Sequence, residues 1–109
     1  MSVIDTNKID GMGISKDGKK LILLITDHLD WNNEYDHLSK LQEKINSYIG
    51  FLENKQYNEI YPDKEFSSYF IEVHFKYEIS DNCSKFIKVI SKQLLEQNIF
   101  IEAFIDEGN

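Results

Sequence analysis

The chain predicts an α+β two-layer sandwich: a four-stranded sheet with two helices on one face, in the order ββαβαβ. Three observations carry this. An Asp-Gly pair, Asp17-Gly18, separates two apolar runs and marks a hairpin. Two stripes of apolar residues at steps of three and four, after residue 37 and after residue 82, mark helices. Between them, residues 69–79 alternate strictly, which leaves one sheet face wet and places both helices on the other. With 109 residues and 41% hydrophobic content, the chain suits a single domain spanning 1–109.

The first strand, within "IDGMGIS", carries Gly11 and Gly13, which weaken it and suit an edge position or a close backbone approach. The second, Leu21 to Thr26, is apolar on both parities and should be central. The Asp-Gly turn between them favours positive φ at both central residues. A helix follows, with Leu38, Leu41, Ile45, Tyr48, Ile49 and Leu52 as its stripe. Asn32 or Asn33 can cap it, Glu34 and Asp36 suit the positive end of its dipole, and Asn54 can stop it. Trp31, just ahead of the cap, can pack on a residue one turn inside.

Residues 55–68 read as a connection, with Tyr57, Ile60 and Tyr61 tucked against the helix. The third strand runs Tyr69 to Ile79, odd positions inward and Glu72, His74, Lys76 and Glu78 outward. The second helix starts at Ser80 or Asp81. Its stripe is Cys83, Phe86, Ile87, Ile90 and Leu94, and Asn98 ends it. The last strand, Ile99 to Asp106, turns its isoleucines inward and sets Phe100 and Phe104 beside Glu102 on the wet side. If strands two, three and four run parallel, right-handed crossovers put both helices on one face.

Composition narrows function. Net charge is −7, and all 12 basic residues are lysine. Phosphate-backbone binding needs clustered Lys and Arg, so nucleic acid is a poor partner. A basic protein is a better one, because opposite fields speed association. The same charge also serves solubility. One cysteine excludes an internal disulfide, no run is long and apolar enough to span a bilayer, and "MSVIDTNK" lacks a secretion signal. A cytoplasmic protein is the expectation.

The densest polar stretch is "TDHLDWNNEYDH", residues 26–37, with His28, His37, Asp27, Asp30, Glu34 and Asp36 around the only tryptophan. Imidazoles and carboxylates converging at a strand-to-helix corner could bind a divalent ion or do acid–base work. Against this, His28 and His37 lack i, i+4 spacing and no H-E-x-x-H grammar is present. A hydrogen-bonded corner joining two elements accounts for the same residues. Cys83 falls near a helix start, where the dipole lowers a thiol pKa, but also on the apolar stripe, which makes it an inert buried thiol. No nucleophile elbow or phosphate loop occurs. No enzyme activity, metal or cofactor is expected.

The open face is more suggestive. Phe100 and Phe104 among charges form either a small protein-binding patch or a surface covered by a neighbouring segment.

Thr26 to Trp31 (T-D-H-L-x-W), Leu41 to Tyr48 (L-Q-x-K-I-N-x-Y), Tyr61-Pro62 and Phe75 to Tyr77 (F-K-Y) together resemble a family of small uncharacterised bacterial proteins. That resemblance covers nearly the whole chain. It implies a bacterial cytosolic origin and a stand-alone domain, and no activity, ligand or site residue. In size, charge and compartment the chain is also similar to toxin-immunity proteins of contact-dependent and polymorphic toxin systems.

The expected function is therefore a non-enzymatic acidic protein-binding module, an immunity protein that neutralises a cationic, nuclease-type toxin. Its partner-binding residues are expected among Asp27, Asp30, Glu34 and Asp36 at the corner, or Phe100, Glu102, Phe104, Asp106 and Glu107 near the end. The alternative is a small metal-binding protein or enzyme using His28 and His37. A homodimer through the open face is a third possibility.

Overall fold

The computed structural model describes residues 3–5 and 8–106, so Glu107 lies outside the described residues. The elements are β1 (Gly11–Ile14), β2 (Lys20–Asp27), α1 (Glu34–Glu53), a 3₁₀ turn at Gln56–Glu59, β3 (Ser68–Phe75), α2 (Asp81–Leu94), a 3₁₀ turn at Leu95–Gln97 and β4 (Ile99–Ile105). They form a mixed four-stranded sheet in the order β1-β2-β3-β4, with β1 antiparallel to β2 and the other pairs parallel.

The hairpin forms where Asp17-Gly18 puts it, through a different turn. Only Gly18 takes positive φ, at 74°. The Gly18 N–H donates to Ser15 O, and the Asp17 carboxylate accepts from the Ser15 hydroxyl and from Lys19 N. Asp17 thus keeps a negative φ and uses its side chain to hold the turn, which leaves only one residue of the turn needing left-handed backbone.

Helix α1 is capped by Asn33, whose side chain accepts from Asp36 N at 3.2 Å. It ends at Asn54, and Lys55 follows at φ 54°. Helix α2 is capped by Ser80, whose hydroxyl accepts from Cys83 N at 3.2 Å, and the chain leaves it through Asn98 at φ 59°. Asparagine tolerates that left-handed conformation better than most residues.

The core lies between one sheet face and the two helices. Leu21, Leu23, Ile25, Ile71, Val73, Phe75, Ile99 and Ile101 point into it, against Leu41, Ile45, Tyr48, Leu52, Cys83, Ile87 and Leu94. Tyr57 joins them, its hydroxyl bonded to that of Tyr69 at 2.9 Å. Ile60 does not: it is exposed, while Tyr61 is half-buried. Among the described residues no helix covers the opposite face, and its residues on β2 and β3, from Ile22 and Phe70 onward, are only half-buried.

Two boundaries move. β3 stops at Phe75 instead of Ile79, because its neighbour β2 ends at Asp27, the residue registered with Phe75. A strand continues only while a partner accepts its ladder. Tyr77 is consequently exposed. β4 keeps only its first half covered: Ile99 and Ile101 are buried, whereas Ala103 and Ile105, of the same parity, are exposed.

The segment ahead of β1 is held by a buried lysine. Lys44 Nζ donates to Asp5 O, to Lys8 O at 2.6 Å and to Asp10 Oδ1 at 2.9 Å, and both side chains of the ion pair are buried. The other Asp10 oxygen accepts from Thr26 N at 2.9 Å. Tyr48 OH accepts from Asp10 N and donates to Leu24 O, and Val3 N donates to Thr26 O. Together these occupy the side of β2 that lies beyond the end of β1.

Candidate functional site

The polar stretch 26–37 comes first, because its residues end β2 and start α1. Asp27 is 2% exposed and His37 is 1% exposed, and they form a buried pair. The Nε2 of His37 lies 2.6 and 2.7 Å from the two Asp27 oxygens, and its Nδ1 donates to Asp30 O at 3.0 Å. A carbonyl can only accept, so Nδ1 carries a hydrogen and the Nε2–carboxyl contact must share one further proton. Burial pushes the Asp27 carboxyl up, against the lowering effect of the adjacent His37. The pair is neutral overall with that proton in place, which is the form a dry site favours. Trp31 stacks on the His37 ring at 3.7 Å between centroids, so the staple closes on the first helical turn.

The other acids of this stretch also act within the fold. Asp30 accepts from Asn32 N and Nδ2. Glu34 accepts from Asn82 Nδ2 at 2.9 Å, and bonds from Ser80 and Asn82 hold its carboxyl below the usual range, so it ties the starts of the two helices together. Asp36 pairs with Lys40 one turn on, at 2.6 Å. Asp27 therefore departs from the expectation of a partner-binding carboxylate: its oxygens face His37 and Leu29 N inside the protein. His28 is exposed while His37 is buried, and among the described residues no three ligating side chains converge. Burial raises the Cys83 thiol to about 12, with the Asp27 and Glu34 carboxylates adding to the effect, so it stays protonated and inert.

The uncovered sheet face carries aromatic rings and carboxylates together. Strand register arranges it in three rows. Gly13, Ile22, Phe70 and Phe100 form the first; Gly11, Leu24, Glu72 and Glu102 the second; Thr26, His74 and Phe104 the third. Phe70 stacks on Phe100 at 5.1 Å, and His74 on Phe104 at 4.9 Å. Lys20 Nζ sits 5.3 Å from the Phe70 centroid. Between the two ring pairs, Glu72 and Glu102 are directly registered across β3 and β4. Glu72 has an imidazole beside it on this face, with His74 Nε2 at 3.2 Å. Like charges opposite one another on a sheet disfavour the fold by a few tenths of a kcal/mol.

Two hollows shape the face. A cleft of about 580 Å³ at the C-terminal ends of β2 and β3 is lined by Thr26, Asp27, His28, His74, Lys76, Tyr77 and Asp106. A depression of about 480 Å³ lies over β1, where Gly11 and Gly13 contribute no side chain; a Cβ at Gly13 would meet nothing within 4 Å. Thr26 and His74 line both, so the two adjoin. The surface is apolar with a few convergent polar groups, the make-up of a binding surface.

Residues 1–107 match a family of unknown function, DUF6572. The chain belongs to this family. No curated protein and no solved structure matches it. Membership brings no activity or ligand, so the site rests on geometry.

Of the expected partner-binding residues, the structure brings Phe100, Glu102 and Phe104 to the uncovered side, and sets Asp106 at its rim in the cleft that Asp27 also lines. Phe70, Glu72, Ile22 and Leu24 also belong to the face. Even-numbered parity on β2 and β3 was the signal for them; the continuous apolar run of β2 hid it, since both its faces look alike.

Proposed function

We propose that this member of DUF6572 is a non-enzymatic, acidic protein-binding module whose docking surface is the uncovered sheet face. The observation that carries the proposal is the second row: two registered carboxylates, Glu72 and Glu102, flanked by two stacked aromatic pairs. A lysine or arginine from a partner, set between the ring pairs, relieves that repulsion and gains cation–π contact. The rings supply the desolvated anchor around which charge gives specificity. The −7 charge of the whole chain steers a basic partner toward it.

The biological reading that fits is neutralisation of a cationic, nuclease-type toxin in the bacterial cytosol, by covering the toxin's basic surface. The experiment is a titration against the purified protein encoded beside it, with co-expression to test protection of the host. Micromolar or tighter binding that weakens steeply with salt supports the proposal. An absence of binding together with an absence of protection contradicts it.

A further inference from the structure

The sheet has two edges, β1 of four residues and β4 of seven. On the β1 side, β2 gives its outward backbone groups to β1, and past the end of β1 to Asp10, Tyr48 and Val3. On the other side β4 is the edge, and among the described residues nothing pairs with it. The direction of its backbone groups follows from two bonds. Tyr69 N donates to Asn98 O, and Asp106 N donates to Phe75 O, so even-numbered positions of β4 face β3. Odd-numbered positions, Ile99 to Ile105, therefore present their N–H and C=O groups outward.

The strand, "IFIEAFI", contains no Pro or Lys to blunt the edge, and Glu102 is its one charged residue. Its second half is exposed on both faces: Phe104 is 40% and Ile105 41% accessible. We infer that β4 pairs antiparallel with β4 of a second copy of this chain about a two-fold axis at Ala103, joining two sheets into one of eight strands.

The register argues for a second copy. About Ala103, every outward group on Ile101, Ala103 and Ile105 meets an outward group, Ala103 against Ala103 and Ile101 against Ile105. Glu102 then falls opposite Phe104, and Asp106 opposite Phe100, so no carboxylate faces another. A shift of the axis to residue 102 would set Glu102 against its own copy, and a shift to 104 would set Glu102 against Asp106. Like charges opposite each other disfavour both. The chosen register covers the exposed half of β4 and leaves the rows of the uncovered face free.

Sedimentation of the purified full chain at high micromolar concentration tests this, beside the variant Ala103→Pro. The Ala103 N–H points away from β3, so proline there removes a donor to the second copy and none from the sheet. The expected result is a dimer for the unaltered chain and a folded monomer for Ala103→Pro. Ile105→Lys, an exposed position, is expected to dissociate it as well and covers the case in which the proline variant does not fold. Amide exchange should slow at Ile101, Ala103 and Ile105 as concentration rises. A monomer at all concentrations, or a dimer that survives both substitutions, overturns the inference. Neither result bears on partner binding through the open face.

Discussion

Replacing Lys44 by Met isolates the cost of a buried charge that the fold depends on. The ammonium is fully buried and bonds two carbonyls, Asp5 O and Lys8 O, and the buried Asp10 carboxylate. Met fills much of the same volume, so the loss is electrostatic and not a cavity. Asp10 keeps its bonds from Thr26 N and Oγ1, but its charge loses its cation. Breaking a buried pair by removing one partner costs roughly 3–5 kcal/mol. That is a large share of the roughly 5–15 kcal/mol that holds a typical domain folded. In urea, with a slope of about 1–3 kcal/mol/M, the midpoint should fall by about 2 M. The double variant Lys44→Met with Asp10→Asn should recover part of the loss, because no uncompensated charge remains. Amide exchange at Val3 and Thr26 should accelerate in both. A loss below about 1 kcal/mol for Lys44→Met, the range of an exposed pair, would refute the reasoning.

Other outcomes follow from the same structure. Cys83, with its thiol raised to about 12 by burial, should resist thiol reagents at pH 8 and react only as the protein unfolds. Because its folded pKa lies above the unfolded value, its stabilising contribution is present below the ordinary thiol pKa and lost as pH rises toward 12; alkaline melts of Cys83→Ala should be less pH-sensitive there. His37→Ala leaves the Asp27 carboxyl buried without its ring and should cost about 3 kcal/mol or more, read by thermal melting. Gly18→Ala puts a side chain at φ 74° and should destabilise by about 1 kcal/mol in the same assay. Gly13→Val has open space around it and should leave stability unchanged or raised by up to about 1 kcal/mol, yet fill the depression over β1 and weaken partner binding.

How much of this was legible in the sequence depended on which force decides each feature. Alternation along 69–75 gave β3 and its wet face, because burial on one side acts residue by residue. The helix starts were legible to within a residue, at Asn32 or Asn33 and at Ser80 or Asp81, because capping is local chemistry. The end of β3 was not: residues 76–79 continue its alternation, and the strand stops because β2 has no residue left to pair. The acids of 26–37 carry a similar lesson. Their types suit a metal or an acid–base pair, but a strand-to-helix joint needs the same groups for turns and caps, and Asp27 is taken by His37, ten residues on. The buried Lys44 was invisible for a related reason. It occupies one place in a helix of mixed polarity, and its three acceptors lie more than thirty residues away. The open face was half legible, since Phe100, Glu102 and Phe104 followed from parity, whereas the facing of Glu72 against Glu102 needed strand order.

The account stands on the bare side of the sheet being where a partner lands, and one comparison reaches it directly. The binding constant of the proposed basic partner is measured for Glu102→Lys and Phe104→Ser on that side, and for Asp36→Lys at the helix start. The account predicts a loss of tenfold or more, about 1.4 kcal/mol, for each of the first two and little change for the third. A loss confined to Asp36→Lys, with both sheet variants binding normally, would contradict it.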